Sequence, residues 1–241
     1  YYGIAENEFG WWKIEGGKVN FDYYGVAENE CGWWKVEGGK VNFDYYGVAD
    51  NEFGWWRIEG GKVNFDYYGI AENEYGWWKI EGGKVNFDYT GLADSDNGRM
   101  YVSNGGVDFG YTNVIQDGDV WVYVENGKVR YDYTGIRENA NGWWKIESGI
   151  VNFKFTGIAS NENGEFYIKD GKVDFDYSGT INQSDCIYTV KSGWVVSKEG
   201  ISGIIKGVDV SHHNNDNGEG VLNWAEVANA GYKFAMVKVA G

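Results

Sequence analysis

A chain of 241 residues with no proline, 38 glycines and 43% hydrophobic residues has the make-up of a regular array of tight turns. Its 36 acidic against 21 basic residues leave a formal charge of −15, a field that excludes nucleic acid and anionic membrane surfaces as partners and favours cationic ligands. No apolar run approaches the length of a membrane-spanning helix, so no membrane partner is expected.

The array starts at once. Trp-Trp pairs begin at Trp11, Trp33, Trp55 and Trp77, each 22 residues after the last, and return in register at Trp143-Trp144. A fixed period of this kind marks a tandem repeat architecture. Each unit carries a two-residue turn signal, Gly16-Gly17, Gly38-Gly39, Gly60-Gly61 and Gly82-Gly83, then Asn104-Gly105, Asn126-Gly127, Ser148-Gly149, Asp170-Gly171 and Ser192-Gly193. Such pairs accept positive φ at both central positions, as a type I′ hairpin requires.

A two-residue turn fixes the register. Glu15 then faces Lys18, Ile14 faces Val19, Trp12 faces Phe21 and Trp11 faces Asp22. Side chains alternate along a strand, so Trp12, Ile14, Val19, Phe21 and Tyr23 are expected to form a core face. Trp11, Lys13, Lys18, Asn20, Asp22 and Tyr24 form a wet one. The looser repeats agree with this division: the Trp12 slot later holds Met100, Val122, Phe166 and Tyr188, whereas the Trp11 slot admits Arg99 and Glu165. One Trp of each pair is thus expected to serve the fold and the other to be free for a ligand. The segment Ala5-Glu6-Asn7-Glu8 and its copies read as loops joining one hairpin to the next. Isolated hairpins are marginal in water, so the units must stack, which predicts a mainly β solenoid over residues 1–200 in about nine repeats.

Cys31 and Cys186 fall in the second and ninth repeats, too far apart in a linear stack for a disulfide, and no metal or redox cofactor is implied. The chain begins inside a repeat at Tyr1, which reads as a piece of a longer protein.

After a linker at 201–206 the composition changes. Ile204 to Ser211 reads as a buried strand, Asn223 as the N-cap of a helix running to about Ala230 with Gly231 beyond it, and Phe234 to Val239 as a second strand. Residues 207–241 therefore read as one βαβ unit.

Two resemblances rest on these residues. The Gly-Trp-Trp strand, Gly-containing turn and aromatic second strand, over Tyr1 to Gly200, resemble the choline-binding and related cell-wall-binding repeats of Gram-positive bacteria and their phages. The tail Gly207-Val208-Asp209-Val210-Ser211-His212-His213-Asn214, with Leu222-Asn223-Trp224 and Ala230-Gly231-Tyr232-Lys233-Phe234-Ala235-Met236-Val237-Lys238, resembles the opening of a glycoside hydrolase family 25 lysozyme. That family is a TIM-like barrel that cleaves peptidoglycan between N-acetylmuramic acid and N-acetylglucosamine. This resemblance implies that Asp209, at the end of the first barrel strand, is an active-site carboxylate. The remaining acids would lie beyond Gly241, so the chain is expected to be inactive alone. His213 is a candidate substrate contact. Together the resemblances imply a secreted, wall-associated peptidoglycan hydrolase of bacterial or phage origin, of which this chain is the targeting part. The alternative is a non-enzymatic adhesin or spacer.

Cation–π recognition of a quaternary ammonium sets the cation on the electron-rich faces of Trp and Tyr, several rings forming a cage, and on the wet face such rings stand beside a carboxylate. The candidate sets are Trp11 with Asp22 and Tyr24, Trp33 with Asp44 and Tyr46, and Trp55 with Asp66 and Tyr68, with Trp77 and Trp143 as partial sets. The ligand is open between a choline-like wall substituent and a glycan stacked on the same rings. A third possibility is that no small ligand binds because the outer Trp is buried between hairpins.

Overall fold

The computed structural model describes residues 1–200, 207–210, 224–230 and 234–237. Residues 1–200 form 27 strands joined antiparallel in one open sheet, three strands to each 22-residue unit. The first unit shows the pattern: a first strand Gly3–Asn7, a central strand Gly10–Glu15 and a short third strand Lys18–Val19. Gly16 and Gly17 adopt φ of 57° and 79°, the left-handed backbone of a type I′ turn. Ile14 pairs with Val19 and Glu15 with Lys18, as the turn dictates.

Beyond Val19 the expected register fails. Asn20 Oδ1 accepts the Asp22 N–H at 3.0 Å, folding the chain into an Asx turn that ends the strand. Trp12 therefore does not face Phe21, nor Trp11 Asp22. Trp12 is paired instead with Lys40 of the following repeat. The segment expected to be a loop is also a strand: Gly3–Asn7 runs against the central strand with Ala5 opposite Trp12 and Glu6 opposite Trp11. Asn7 Oδ1 closes that hairpin by accepting both the Phe9 N–H at 2.9 Å and the Trp12 indole N–H at 3.1 Å. Each unit is thus a three-stranded meander.

Repeats lock together through the turn. The Lys13 N–H donates to Gly39 O at 2.8 Å, and the Gly39 N–H donates to Tyr23 O at 3.0 Å, so the glycine turn of one unit sits on the backbone of the unit before. The core is a row of eight clusters that share this cross-repeat design. In the first, Ile4 and Trp11 of one unit meet Ala27, Trp34, Val36 and Val41 of the next. The second unit thus contributes to two clusters, with Ala27, Trp34 and Val36 packed on the preceding unit and Val26 and Trp33 on the following one. The Trp12 slot behaves as its substitutions suggest, with Met100, Val122, Phe166 and Tyr188 all buried. Phe21 of the expected core face is instead exposed. The wet-face reading of the Trp11 slot is corrected too, because Trp11 and Trp33 are half-buried and packed on the next repeat.

The array closes with Gly179–Gln183, Cys186–Lys191 and Trp194–Gly200. In the tail, Gly207–Val210 and Phe234–Val237 pair in parallel, and a helix spans Trp224–Asn229 between them in sequence. Ile204, Ser211, His212, His213, Asn223, Gly231 and Val239 lie outside the described residues. No helix among the described residues is long and apolar enough to cross a membrane.

Candidate functional site

The outer tryptophans are held by rings of the following repeat. Trp11 meets Trp34 edge-on at 4.9 Å and Phe43 at 5.7 Å. Trp33 meets Trp56 at 4.9 Å and Phe65 at 5.8 Å, and Trp55 meets Trp78 at 5.0 Å and Phe87 at 5.7 Å. In the looser half, Trp77 touches Phe109 at 5.7 Å and Trp143 touches Phe166 at 5.2 Å. T-shaped pairs of this kind add to area burial, so each outer Trp helps to join two repeats.

What remains exposed of the outer ring lines a groove. At Trp33 the walls come from three repeats: Lys13, Glu15 and Tyr23 from the first, Tyr24 and Glu28 leading into the second, and Asp50, Asn51, Glu52 and Phe53 from the third. The groove encloses ≈ 600 Å³. The same groove returns at Trp55 with Lys35, Glu37, Asp50, Glu74 and Tyr75, and at Trp77 with Arg57, Glu72 and Asp96. A fourth copy lies at Trp143 with Tyr123, Arg137, Glu138 and Glu162. One arrangement thus recurs with the repeat.

Charge in these grooves is uneven. At Trp33 four carboxylates, Glu15, Glu28, Asp50 and Glu52, stand against Lys13 alone. That lysine is already engaged, its Nζ 5.1 Å from the Tyr23 ring centroid and 3.7 Å from Glu15. Burial, then the charges of Glu15 and Glu52, push the Tyr23 hydroxyl upward, so it stays protonated and donates to Val26 O at 2.9 Å. At Trp143 an arginine fills part of the space: the Arg137 guanidinium lies 4.4 Å from the Tyr133 ring centroid and bonds Glu162 at 2.9 Å. Each groove holds one cation of the protein's own over a tyrosine ring, Lys13, Lys35, Arg57 or Arg137, and the groove at Trp33 has the most carboxylates of the four.

The residues predicted from sequence fall differently. Tyr24 does line a groove, but with Trp33 of the next repeat, and Tyr46 and Tyr68 are exposed at 68% and 72%. Asp22, Asp44 and Asp66 each close an Asx turn through their own N–H, on Asn20, Asn42 and Asn64, and all three are exposed. The carboxylates beside the ring are instead Glu28, Asp50 and Glu52, which sequence reasoning placed in loops. One signal was available: this first-strand slot reads Glu6, Glu28, Asp50, Glu72 and Asp94, acidic in five successive repeats.

Asp209 lies in the tail strand opposite Met236. Cys31 is exposed and Cys186 partly buried, and the two are not joined to each other. No cluster of His, Cys, Asp and Glu fit to hold a metal occurs among the described residues.

No curated protein matches the chain. A family model described as a choline-binding repeat matches six successive segments, 44–64, 66–86, 88–108, 110–130, 132–152 and 154–174, which together cover more than half of the residues. Each segment contains the three strands and the glycine turn described above, and the chain belongs to the choline-binding repeat family.

Proposed function

We propose that residues 1–200 anchor a protein to a cell-wall polymer bearing choline or a similar quaternary ammonium group, with the grooves at Trp33, Trp55 and Trp77 as the binding sites. The observation that carries this reading is the groove itself, an indole wall beside several carboxylates, returned with the repeat period. A cation placed there gains attraction to the ring, of about 0.5 to 2 kcal/mol per contact, and to the surrounding negative field. Several modest sites on one array reinforce one another on a repetitive polymer through effective concentration. The surface of a bacterial cell is where such a polymer is met.

We further infer that residues 207–241 open a family 25 lysozyme barrel, so the array targets a peptidoglycan hydrolase with Asp209 in its active site. The parallel pairing of Gly207–Val210 with Phe234–Val237 supports the βαβ reading. A barrel of this class takes about 200 to 250 residues, and glycoside hydrolysis calls for a pair of carboxylates, so this chain is expected to bind walls without lysing them. The test is sedimentation with purified cell walls containing or lacking choline. The chain is expected to pellet with the first, to be released by free choline, and to leave wall turbidity unchanged. Equal pelleting with choline-free walls would move the ligand to the glycan.

A further inference from the structure

The inner tryptophans carry a cation of their own. Lys40 Nζ lies 5.2 Å from the Trp12 ring centroid, Lys62 5.2 Å from Trp34, Lys84 5.3 Å from Trp56 and Lys172 5.4 Å from Trp144. In each pair the lysine opens the third strand of the next repeat, where the register sets its Cα opposite the indole. The lysine stem crosses a glycine at the start of the central strand: a Cβ built on Gly10, Gly32 or Gly54 would lie 2.8, 2.6 or 2.5 Å from the Cε of Lys40, Lys62 or Lys84. That glycine, the indole and the lysine thus form one filled slot in each of four repeats.

At Trp78 the filler is missing from the sequence. The residue opposite it is Gly106. A Cβ built on Gly76, the glycine that elsewhere meets the lysine, would meet nothing nearer than Trp78 itself at 3.9 Å. Trp78 is half-buried, as is Trp12 in the first repeat, whereas Trp34, Trp56 and Trp144, which are lysine-filled and lie inside the array, are only 8–9% exposed. The ring is nonetheless fixed in place. Its N–H donates to Asn73 Oδ1 at 2.9 Å, and Trp55 and Phe87 pack against it at 5.0 and 5.6 Å. The result is an oriented indole face with a glycine on either side, shaped by the fold for an ammonium group that the chain does not supply there.

We propose that the Trp78 slot, between Gly76 and Gly106, is a binding site for an organic ammonium ion, distinct from the outer grooves, in which a ligand cation takes the place that lysine fills in the sister repeats. Cation–π attraction to an indole supplies recognition, and the net charge of −15 raises the local concentration of cations. The choice of a cation over a neutral sugar rests on the four sister slots, each closed by a lysine ammonium. It does not require the outer grooves to bind.

The test uses the full chain and tetramethylammonium chloride, with sites counted by calorimetry and Trp fluorescence. Gly106→Lys restores the lysine, and Gly106 is outside the left-handed region, with a Cβ there 3.5 Å from Trp78 in ordinary contact. This variant is expected to lose one site per chain. Lys84→Gly opens the Trp56 slot in the same way and is expected to add one. Unchanged stoichiometry in both variants, or an equal fluorescence response to sucrose, overturns the proposal. Loss of the groove sites in Asp50→Asn with Glu52→Gln, without effect on the Gly106-dependent site, separates the two readings.

Discussion

The second glycine of each turn is constrained twice. Gly39 has φ of 75°, and a Cβ there would press into the Asn20 carbonyl and Phe21 Cα of the preceding repeat. Gly39→Ala is therefore expected to cost more than the roughly 1 kcal/mol of a left-handed alanine alone, read as a fall in the urea midpoint. Gly38→Asn is expected to stay within about 0.5 kcal/mol of the parent, since Asn104 and Asn126 occupy that position at φ of 49° and 51°. The sequence carries the same message, for glycine persists at the second position through Gly105, Gly127, Gly149, Gly171 and Gly193 while the first drifts. The tryptophan pair was half legible. Trp34→Ala, at a buried site, is expected to cost about 3 to 5 kcal/mol, and Trp33→Ala about half of that. A stability-neutral Trp33→Ala would restore the wet-face reading. Charge in the Trp11 slot misled because Arg99 does not point to a free surface. It bonds Asp94 at 2.8 Å and Asp117 at 2.7 Å, exchanging a ring contact between repeats for an ionic one.

At the scale of the element, the turn-directed hairpin was readable and the first strand was not. Gly3–Asn7 carries Glu6 and Asn7, residues with little preference for strands, yet Ile4 is buried against the next repeat and Glu6 faces the ladder partner Trp11. Burial of one residue in the strand outweighs propensity once neighbours stack. The third strand ends early for a local reason, the Asn20 turn, repeated through Asn42, Asn64 and Asn86. Between elements, a tyrosine hydroxyl pins four successive junctions: Tyr23, Tyr45, Tyr67 and Tyr89 donate to the carbonyls of Val26, Val48, Ile70 and Leu92. Burial pushes all four hydroxyls above their ordinary value of 10.0. A raised folded-state value means that the native array holds these protons more tightly than the unfolded chain. Their contribution is complete below about pH 10 and is lost as pH rises further. Urea midpoints measured from pH 8 to pH 11.5 are expected to be flat and then to drop. The drop should be shallower in Tyr45→Phe, which has no hydroxyl to ionise.

For the molecule as a whole, stability is a sum of nearly identical interfaces, so the array is expected to behave as a one-dimensional chain of coupled units. The same stacking decides the function. Period, turn and tryptophan pair were visible in one repeat, and with them the fold class. The binding groove was not, because Trp33 takes its carboxylates from Glu15, Glu28, Asp50 and Glu52 and only the packing of three repeats brings these together. Asp50 lines both the Trp33 and the Trp55 groove, so one side chain reports on two sites. Calorimetric titration of the full chain with choline, in parallel with Asp50→Asn, tests this account most directly. Saturable binding at several sites per chain, weakened by salt and reduced at two of those sites by Asp50→Asn, is the result predicted. Heats no larger than dilution up to tens of millimolar choline, or binding indifferent to Asp50→Asn, would contradict it.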